Sequence, residues 1–399
     1  MPIYLDHAAT TPIHPRVAVI LAEELSRTGN ASSLHLFGRD IRKRVEEARE
    51  AIAQVAGAQP TEIVFTGSGT EANNLAIKGS YWSRVAAKPT RNLIVVAAFE
   101  HHAILEPVEW LVEHEGAEVS YLPITPSGAL DLTALREIVA HSGDRIALVA
   151  VMHSNNELGT VQPIAEVVEL CAGIPVHTDA VQSFGKVPFN FEELGVYSAT
   201  ISAHKIGGPL GIAALILRHG IDLTPLLHGG GQERDLRSGT INAPAIVAFA
   251  AAAQIAQEER EDNFTRVSSL RESLKEKIAT QVPEARFNGE ASAMLPGILN
   301  VTFPGTETDG LLLLLDNVGI AASTGSACSA GVQQASHVLI ALGLSEEDAR
   351  SSIRFSLGRT TTQAEVDEVG SKIAAVVASA QAAYSVQNSA KNVKSTVGK

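Results

Sequence analysis

The feature that most constrains this chain is an alternation that runs from residue 61 to about 217. Short apolar runs rich in Ile, Val, Leu and Ala are separated there by longer stretches of helical periodicity. Strands that read as continuous apolar runs are buried on both faces, and helices between them supply the cover, so the pattern specifies a mostly parallel sheet. The runs at 63–66, 93–97, 119–122, 146–152, 176–178, 199–202 and 212–217 predict one sheet of seven strands. A charged amphipathic segment, 39–56, reads as a helix leading into it.

Beyond the sheet the pattern changes. An Ala-rich helical segment, 245–259, passes into a charged one and connects to a second unit. There, strands near 298–303, 320–323 and 353–356 alternate with helices at 309–317, 336–342 and 362–384, which describes a smaller α+β domain. Ser345 with Asp348, and Thr362 with Glu365, have the three-residue spacing of helix-starting capping boxes. We therefore expect an arm over 1–15 packed on the small domain, a large domain over 16–257, a small domain over 258–384, and a disordered aperiodic tail over 385–399.

Charge narrows the partners. A formal net charge of -13 over 399 residues opposes the basic surface that nucleic acid or an anionic membrane requires. No apolar stretch is long enough to cross a bilayer, and residues 1–12 lack the core of a signal peptide, so a cytoplasmic protein is expected. Two cysteines, Cys171 and Cys328, make no disulfide framework, and no paired Cys or His spacing predicts a metal site.

Several motifs carry chemistry. Lys205 follows an apolar strand and precedes Ile-Gly-Gly-Pro-Leu-Gly211, which places it at the C-terminal edge of the sheet, where α/β proteins bind ligands. A buried lysine loses its proton more readily and can then form a Schiff base. Asp179 ends an earlier strand in His177-Thr-Asp179-Ala-Val-Gln182. An acid there could sit beside the pyridine nitrogen of a pyridoxal cofactor, although such an Asp is more often a helix cap.

Thr66-Gly-Ser-Gly69-Thr70-Glu71 lies between a strand and a helix, where backbone N–H groups close on a phosphate. Gly67, Gly69 and Ala72 also fit a dinucleotide fingerprint, but the acid that should follow the next strand is missing, which favours a single phosphate. Glu100-His101-His102 follows the next strand, and an imidazole there could stack on a ring and move protons. Cys328 sits in Ser323-Thr-Gly-Ser-Ala-Cys328-Ser-Ala-Gly331, a run of tiny residues unsuited to core packing, so reactivity better explains it. Cys171 ends an apolar helical pattern and reads as a buried structural residue. Arg354 in Ser-Ile-Arg354-Phe-Ser offers the bidentate fork that a carboxylate calls for.

Together these motifs resemble the cysteine desulfurases of the NifS and IscS branch, within the class V aminotransferase fold. The likeness starts at Tyr4-Leu-Asp-His-Ala-Ala-Thr-Thr-Pro12 and runs through Met152-His-Ser-Asn-Asn-Glu157, Ser202-Ala-His-Lys205 and Arg237-Ser-Gly-Thr240. It ends at Ser352-Ile-Arg-Phe-Ser-Leu-Gly-Arg359. The resemblance implies a pyridoxal 5'-phosphate-dependent transferase fold of the aspartate aminotransferase type. It implies that Lys205 carries the cofactor, Asp179 pairs with the ring nitrogen, Gln182 reaches the phenolic oxygen and His101 stacks on the ring. Gly69, Thr70, Ser202 and His204 would hold the phosphate, with Thr240 reaching the phosphate of a neighbouring subunit in a homodimer. Asn155 would also lie at the cofactor and, with Arg354, would bind the substrate carboxylate. The implied activity removes sulfur from L-cysteine, leaving alanine and a persulfide on Cys328 that passes to an acceptor or scaffold protein. Selenocysteine lyase and cysteine-sulfinate desulfinase are the alternatives of the same fold. A non-catalytic scaffold is opposed by the combination of Lys205, Asp179, His101 and Cys328.

Overall fold

The computed structural model describes residues 2–325 and 335–397, with side chains through Val386. A two-residue strand, β1 (Ile3–Tyr4), opens the chain. The strands β2 (Ile63–Thr66), β3 (Leu93–Ala97), β4 (Glu118–Leu122), β5 (Ile146–Ala150), β6 (Val176–Asp179), β7 (Ser198–Ser202) and β8 (Ala213–Leu217) then form one sheet. Their spatial order is β2-β8-β7-β6-β5-β3-β4. Only β8 runs against its neighbours, so β2, β3, β5, β6 and β7 all deliver their C-terminal ends to one edge. The seven expected strands are present, and with the helices between them they form an α/β unit on a mostly parallel sheet.

Burial on both faces explains the near-continuous apolar runs. In β3, Val95 and Ala97 pack into one core while Ile94 and Val96 pack into another on the opposite face. The helix expected over 39–56 spans Leu36–Ala56 and stops at Gly57, whose φ of +65° closes the end in the left-handed region. The Ala-rich helix covers Ala243–Glu258, and a second helix, Arg260–Gln281, follows it directly.

The second unit is built on β9 (Arg286–Asn288), β10 (Ile298–Thr302), β11 (Ile320–Ala321) and β12 (Ser352–Ser356). The antiparallel order β12-β10-β9 carries its own apolar core, and β11 pairs in parallel with β1. Both spacings mark helix starts, with the full reciprocal box formed only by Thr362 and Glu365 among the described residues. Ser345 Oγ accepts from Asp348 N, and Thr362 and Glu365 bond each other's backbone N–H.

Three elements differ from expectation. The helix Pro15–Leu25 was not predicted; His14 caps it and Pro15 occupies its first position. β9 was also missed, being only three residues long. The last helix runs Gln363–Val397 instead of ending in a disordered tail, because no Gly or Pro interrupts the chain between Ser385 and Val397.

Candidate active site

The shared strand edge opens onto a cleft of about 460 Å³. Gly69, His101, Asp179 and Lys205 each stand at or within a few residues of a strand end, so the sheet itself places them. β6 and β7 are adjacent and in register with Asp179 opposite Thr200, so Asp179 and the single turn Ala203–Lys205 are neighbours. After β2, Ser68 caps the helix Gly69–Ala87 by accepting from Glu71 N. Gly69 and Thr70 line the cleft from that helix's first turn, whose N–H groups have no intrahelical acceptor. A Cβ on Gly69 would stand 3.2 Å from Val181 Cγ2, so only glycine leaves that wall open. From β3, His101 caps the helix His102–Glu115, its Nδ1 accepting from Ala103 N at 3.0 Å.

Lys205 projects between the sheet edge and the N-terminal arm. Its Nζ donates to Ala8 O at 2.5 Å and to Ala9 O at 2.7 Å. Burial, helped by the nearby Arg354 charge and opposed by Asp179 and Asp6, pushes its amine down to about 8. Asp179 Oδ2 accepts from Asn73 Nδ2 at 2.7 Å and Oδ1 from Val181 N at 2.9 Å. Gln182 Nε2 donates to Ala8 O at 2.8 Å, while its Oε1 receives Lys186 Nζ at 3.3 Å. His204 is held to Thr10 Oγ1 at 3.2 Å, and burial with Lys205 and Lys186 pushes its ring down to about 4. His101 is also lowered, first by burial.

Arg354 comes from β12 and faces the same cleft. Its Nη1 donates to Asn156 O at 2.9 Å and its Nη2 to Asp6 Oδ1 at 2.8 Å. Its buried Nε has no partner among the described residues, and neither has the buried Ser154 Oγ, which also lines the cleft. Unmet donors at a ligand-sized cleft mark where a ligand's acceptors belong.

The cleft thus brings together Gly69, Thr70, His101, Asp179, Gln182, Ser202, His204, Lys205 and Arg354. It does not include two of the expected residues. Asn155 is fully buried and saturated, its Nδ2 on Phe99 O and Met152 Sδ and its Oδ1 on Glu157 N and Leu158 N. Thr240 is exposed and lines a separate crevice with Arg237. Cys328 lies outside the described residues. On the near side Gly325 lines the cleft, and on the far side Ser336 Oγ donates to Glu157 Oε2 at 2.5 Å. Gly325 has a φ of +86° and presses on Glu157: a Cβ there would meet Glu157 Cγ at 2.8 Å. Burial pushes Glu157 up to about 7 against the opposing Ser336 bond and Arg354 charge.

Sequence reasoning missed Asn73, Ser154, Asp6 and the Ala8 and Ala9 carbonyls. Asn73 alone left a signal, since it stands four residues after Gly69 and so shares its helix face. Cys171 is buried as expected, and burial pushes its thiol up to about 12.

A lysine with a lowered proton affinity, a buried carboxylate on the neighbouring strand and a phosphate-sized cradle at a helix start are the parts a pyridoxal-phosphate site needs. The chain belongs to the Aminotransferase class-V family, which it matches over residues 3–369. An IscS-like cysteine desulfurase of Mycobacterium tuberculosis is 50% identical over 383 residues, covering 95% of this chain and 97% of that protein. Cysteine desulfurase IscS of Dictyoglomus turgidum is 41% identical, covering 92% of each. Among solved structures, a NifS-like protein superposes with a TM-score of 0.87 at 35% identity, covering 95% of this chain and all of the other, 100%. SspA in complex with cysteine superposes at 0.77 with 34% identity, covering 90% and 100%. Within the family, this chain is a pyridoxal-phosphate-dependent cysteine desulfurase.

Proposed function

We propose that the reaction runs with the cofactor held on Lys205 and with Cys328 as the sulfur acceptor. The observation that carries this reading is the convergence on one cleft of Lys205, its amine pushed down to about 8, with Asp179 and the half-satisfied Arg354. Gly69, Thr70, Ser202 and His204 would hold the phosphate, Asp179 would meet the ring nitrogen, Gln182 the phenolic oxygen, and His101 would cover the ring face. When bound, the cofactor supplies an electron sink for charge developing at the substrate α carbon.

The protein's own groups do the rest. Lys205 Nζ takes the α proton and returns it, and its lowered proton affinity suits both directions near neutral pH. Arg354 Nε, free of protein partners among the described residues, binds the substrate carboxylate. Asn155 serves as a scaffold that shapes the 151–158 loop, with its substrate contact requiring that its amide leave Phe99. The Cys328 thiolate bonds the substrate sulfur as the substrate C–S bond breaks. That bond's electron pair goes to carbon, which leaves protonated as alanine, and a persulfide stays on Cys328. Cys171 cannot substitute, since it is buried with its thiol pushed up to about 12.

The substrate is L-cysteine, the ligand that the solved relative SspA holds. A homodimer is supported by Thr240, exposed and outside the cleft, and by the exposed Leu34, Leu36 and Phe37. Sulfur-acceptor proteins complete the partners. A cytoplasmic setting follows the composition, and no helix among the described residues is long and apolar enough to cross a membrane. A division of the domains at 257 and 258 would fall at the last turn of the helix Ala243–Glu258, next to the break at Glu259 where a second helix takes over.

Feeding the purified protein L-cysteine with a reductant, and following alanine and sulfide together, tests the reading. Equal yields from wild type and from Cys171→Ala are expected, with both products lost in Cys328→Ala while the yellow colour remains. Sulfide from Cys328→Ala at the wild-type rate would refute the assignment.

A further inference from the structure

Behind Asp179 runs a chain of buried polar side chains that the reaction itself does not use. Asn73 Nδ2 donates to Asp179 Oδ2 at 2.7 Å. Asn73 Oδ1 lies 3.1 Å from His177 Nε2, and His177 Nδ1 lies 2.8 Å from Ser198 Oγ. The fold places each link. His177 and Asp179 are two apart on β6 and so share a sheet face, and Ser198 is the register partner of His177 on β7. Asn73 reaches them from the helix that starts at the phosphate cradle. Asn73, His177 and Ser198 are exposed by 1%, 2% and 1%, so water cannot substitute for any of these bonds.

Elimination fixes the direction of every bond. An amide oxygen turned to Asp179 would face a carboxylate, so Asn73 turns its NH₂ there and its oxygen to His177. That oxygen needs a donor, so His177 carries its proton on Nε2. Burial pushes the His177 ring down to about 3, and it holds no second proton. Nδ1 is therefore an acceptor, and the Ser198 hydroxyl donates to it. The three residues donate in series toward Asp179, each bond polarising the next.

We infer that Ser198, His177 and Asn73 form a positioning chain that fixes the orientation of the Asp179 carboxylate and keeps the shared proton on the cofactor's ring nitrogen. This rests on the reading that Asp179 faces that nitrogen. The reason is electrostatic: a carboxylate already receiving N–H bonds from Asn73 and Val181 competes less for the ring proton. Without His177 Nε2–H, the buried Asn73 Oδ1 is left without a donor, and only the Asp179 carboxylate still holds the amide in its orientation. A network present only to satisfy His177 would leave the ring nitrogen indifferent to its loss.

The test uses holoenzyme loaded with cofactor carrying an NMR-active isotope at the ring nitrogen, read by chemical shift alongside kcat and KM. His177→Phe and Asn73→Ala are expected to move the shift part of the way toward the unprotonated ring. They should lower kcat about tenfold, the scale of one buried hydrogen bond, and leave KM for cysteine within about twofold. His177→Gln, which restores an N–H near the Nε2 position, should recover both readings. A wild-type shift in His177→Phe and Asn73→Ala, with Asp179→Ala strongly shifted, overturns the chain and leaves the Asp179 reading standing. An unmoved shift in Asp179→Ala overturns the underlying reading, and the chain with it. Should His177→Phe not accumulate as holoenzyme, Ser198→Ala removes only the outer donor. An intermediate shift with about a threefold loss of kcat then supports the chain, and an unmoved shift overturns it.

Discussion

The two larger sheets of this molecule bury polar groups in opposite ways. At the C-terminal edge of the seven-stranded sheet lie Glu100 and Asp179, with His177 two residues behind Asp179 on the same strand, all buried, and Glu100 is held well above the carboxylate range by burial and by Asp179. In the three-stranded sheet the buried polar groups are mainly uncharged, such as the hydroxyls of Thr302 and Ser352, which bond each other at 2.8 Å. Arg354 is the charged exception there, and strand alternation explains it: Ile353 and Phe355 enter the small core while Arg354 turns to the cleft. Burying charge is costly unless it is partnered. This fold confines that cost to one edge, where a ligand can offset it, and uses the second sheet as a stable platform for one guanidinium.

If the contrast is sound, changes at the large sheet's edge should cost activity, and changes in the small core should cost stability. The largest effect is expected for Lys205→Ala: at least about a thousandfold loss of alanine formation, with borohydride no longer fixing colour to the protein. In the wild type, capture of added cofactor by stripped protein should rise with pH about a midpoint near 8, since only the neutral amine reacts and burial lowers its proton affinity. A midpoint near the ordinary lysine value would break the argument. Next, Leu311→Ala removes a fully buried side chain from the small core and should lower unfolding free energy by about 2–5 kcal/mol in urea, with kcat within twofold.

Glu157 sharpens the contrast because it is ionisable yet serves as an anchor. Burial raises its carboxyl from 4.5 to about 7, so the favourable protonated form is fully present below the lower value and is lost as pH rises through the higher. Glu157→Gln should therefore gain roughly 1–3 kcal/mol over wild type between pH 5 and pH 8, read as a widening gap in Tm. A gap that does not change with pH would show that the carboxyl does not titrate there. The smallest effect is expected from Arg354→Lys, which keeps charge but loses the fork: about a tenfold lower kcat/KM, mostly through KM.

Much of this contrast was legible in the sequence, and the residues show why. Lys205, Asp179, His101 and Gly69 follow strand ends, and a parallel sheet carries strand ends to a common edge whatever the details of packing. The guanidinium fork of Arg354 was readable as carboxylate chemistry, but its place in the cleft was not, because its strand belongs to another sheet and its approach is tertiary. Ser154 was invisible for the same reason, and Asn73 left only its spacing of four from Gly69. Asn155 was assigned to the substrate through the resemblance, yet four bonds occupy its amide away from the cleft, and a motif carries no information about such saturation. β9 was missed because three residues are too few to show alternation.

The N-terminal arm sets an order of assembly. Ile3 pairs with Ile320, Leu5 O accepts from Ser356 N, and Ala8 N donates to Ser356 Oγ before Ala8 and Ala9 turn their carbonyls to Lys205. These contacts span more than three hundred residues, and loops that long close late. During synthesis the seven-stranded sheet can therefore form while its key lysine still lacks two of its acceptors. Competence for the cofactor arrives only when the last strand, β12, has emerged and the arm has seated across it. The arm acts as a completion signal: a chain truncated before residue 352 can own every residue of the large sheet's edge and still present an unfinished site.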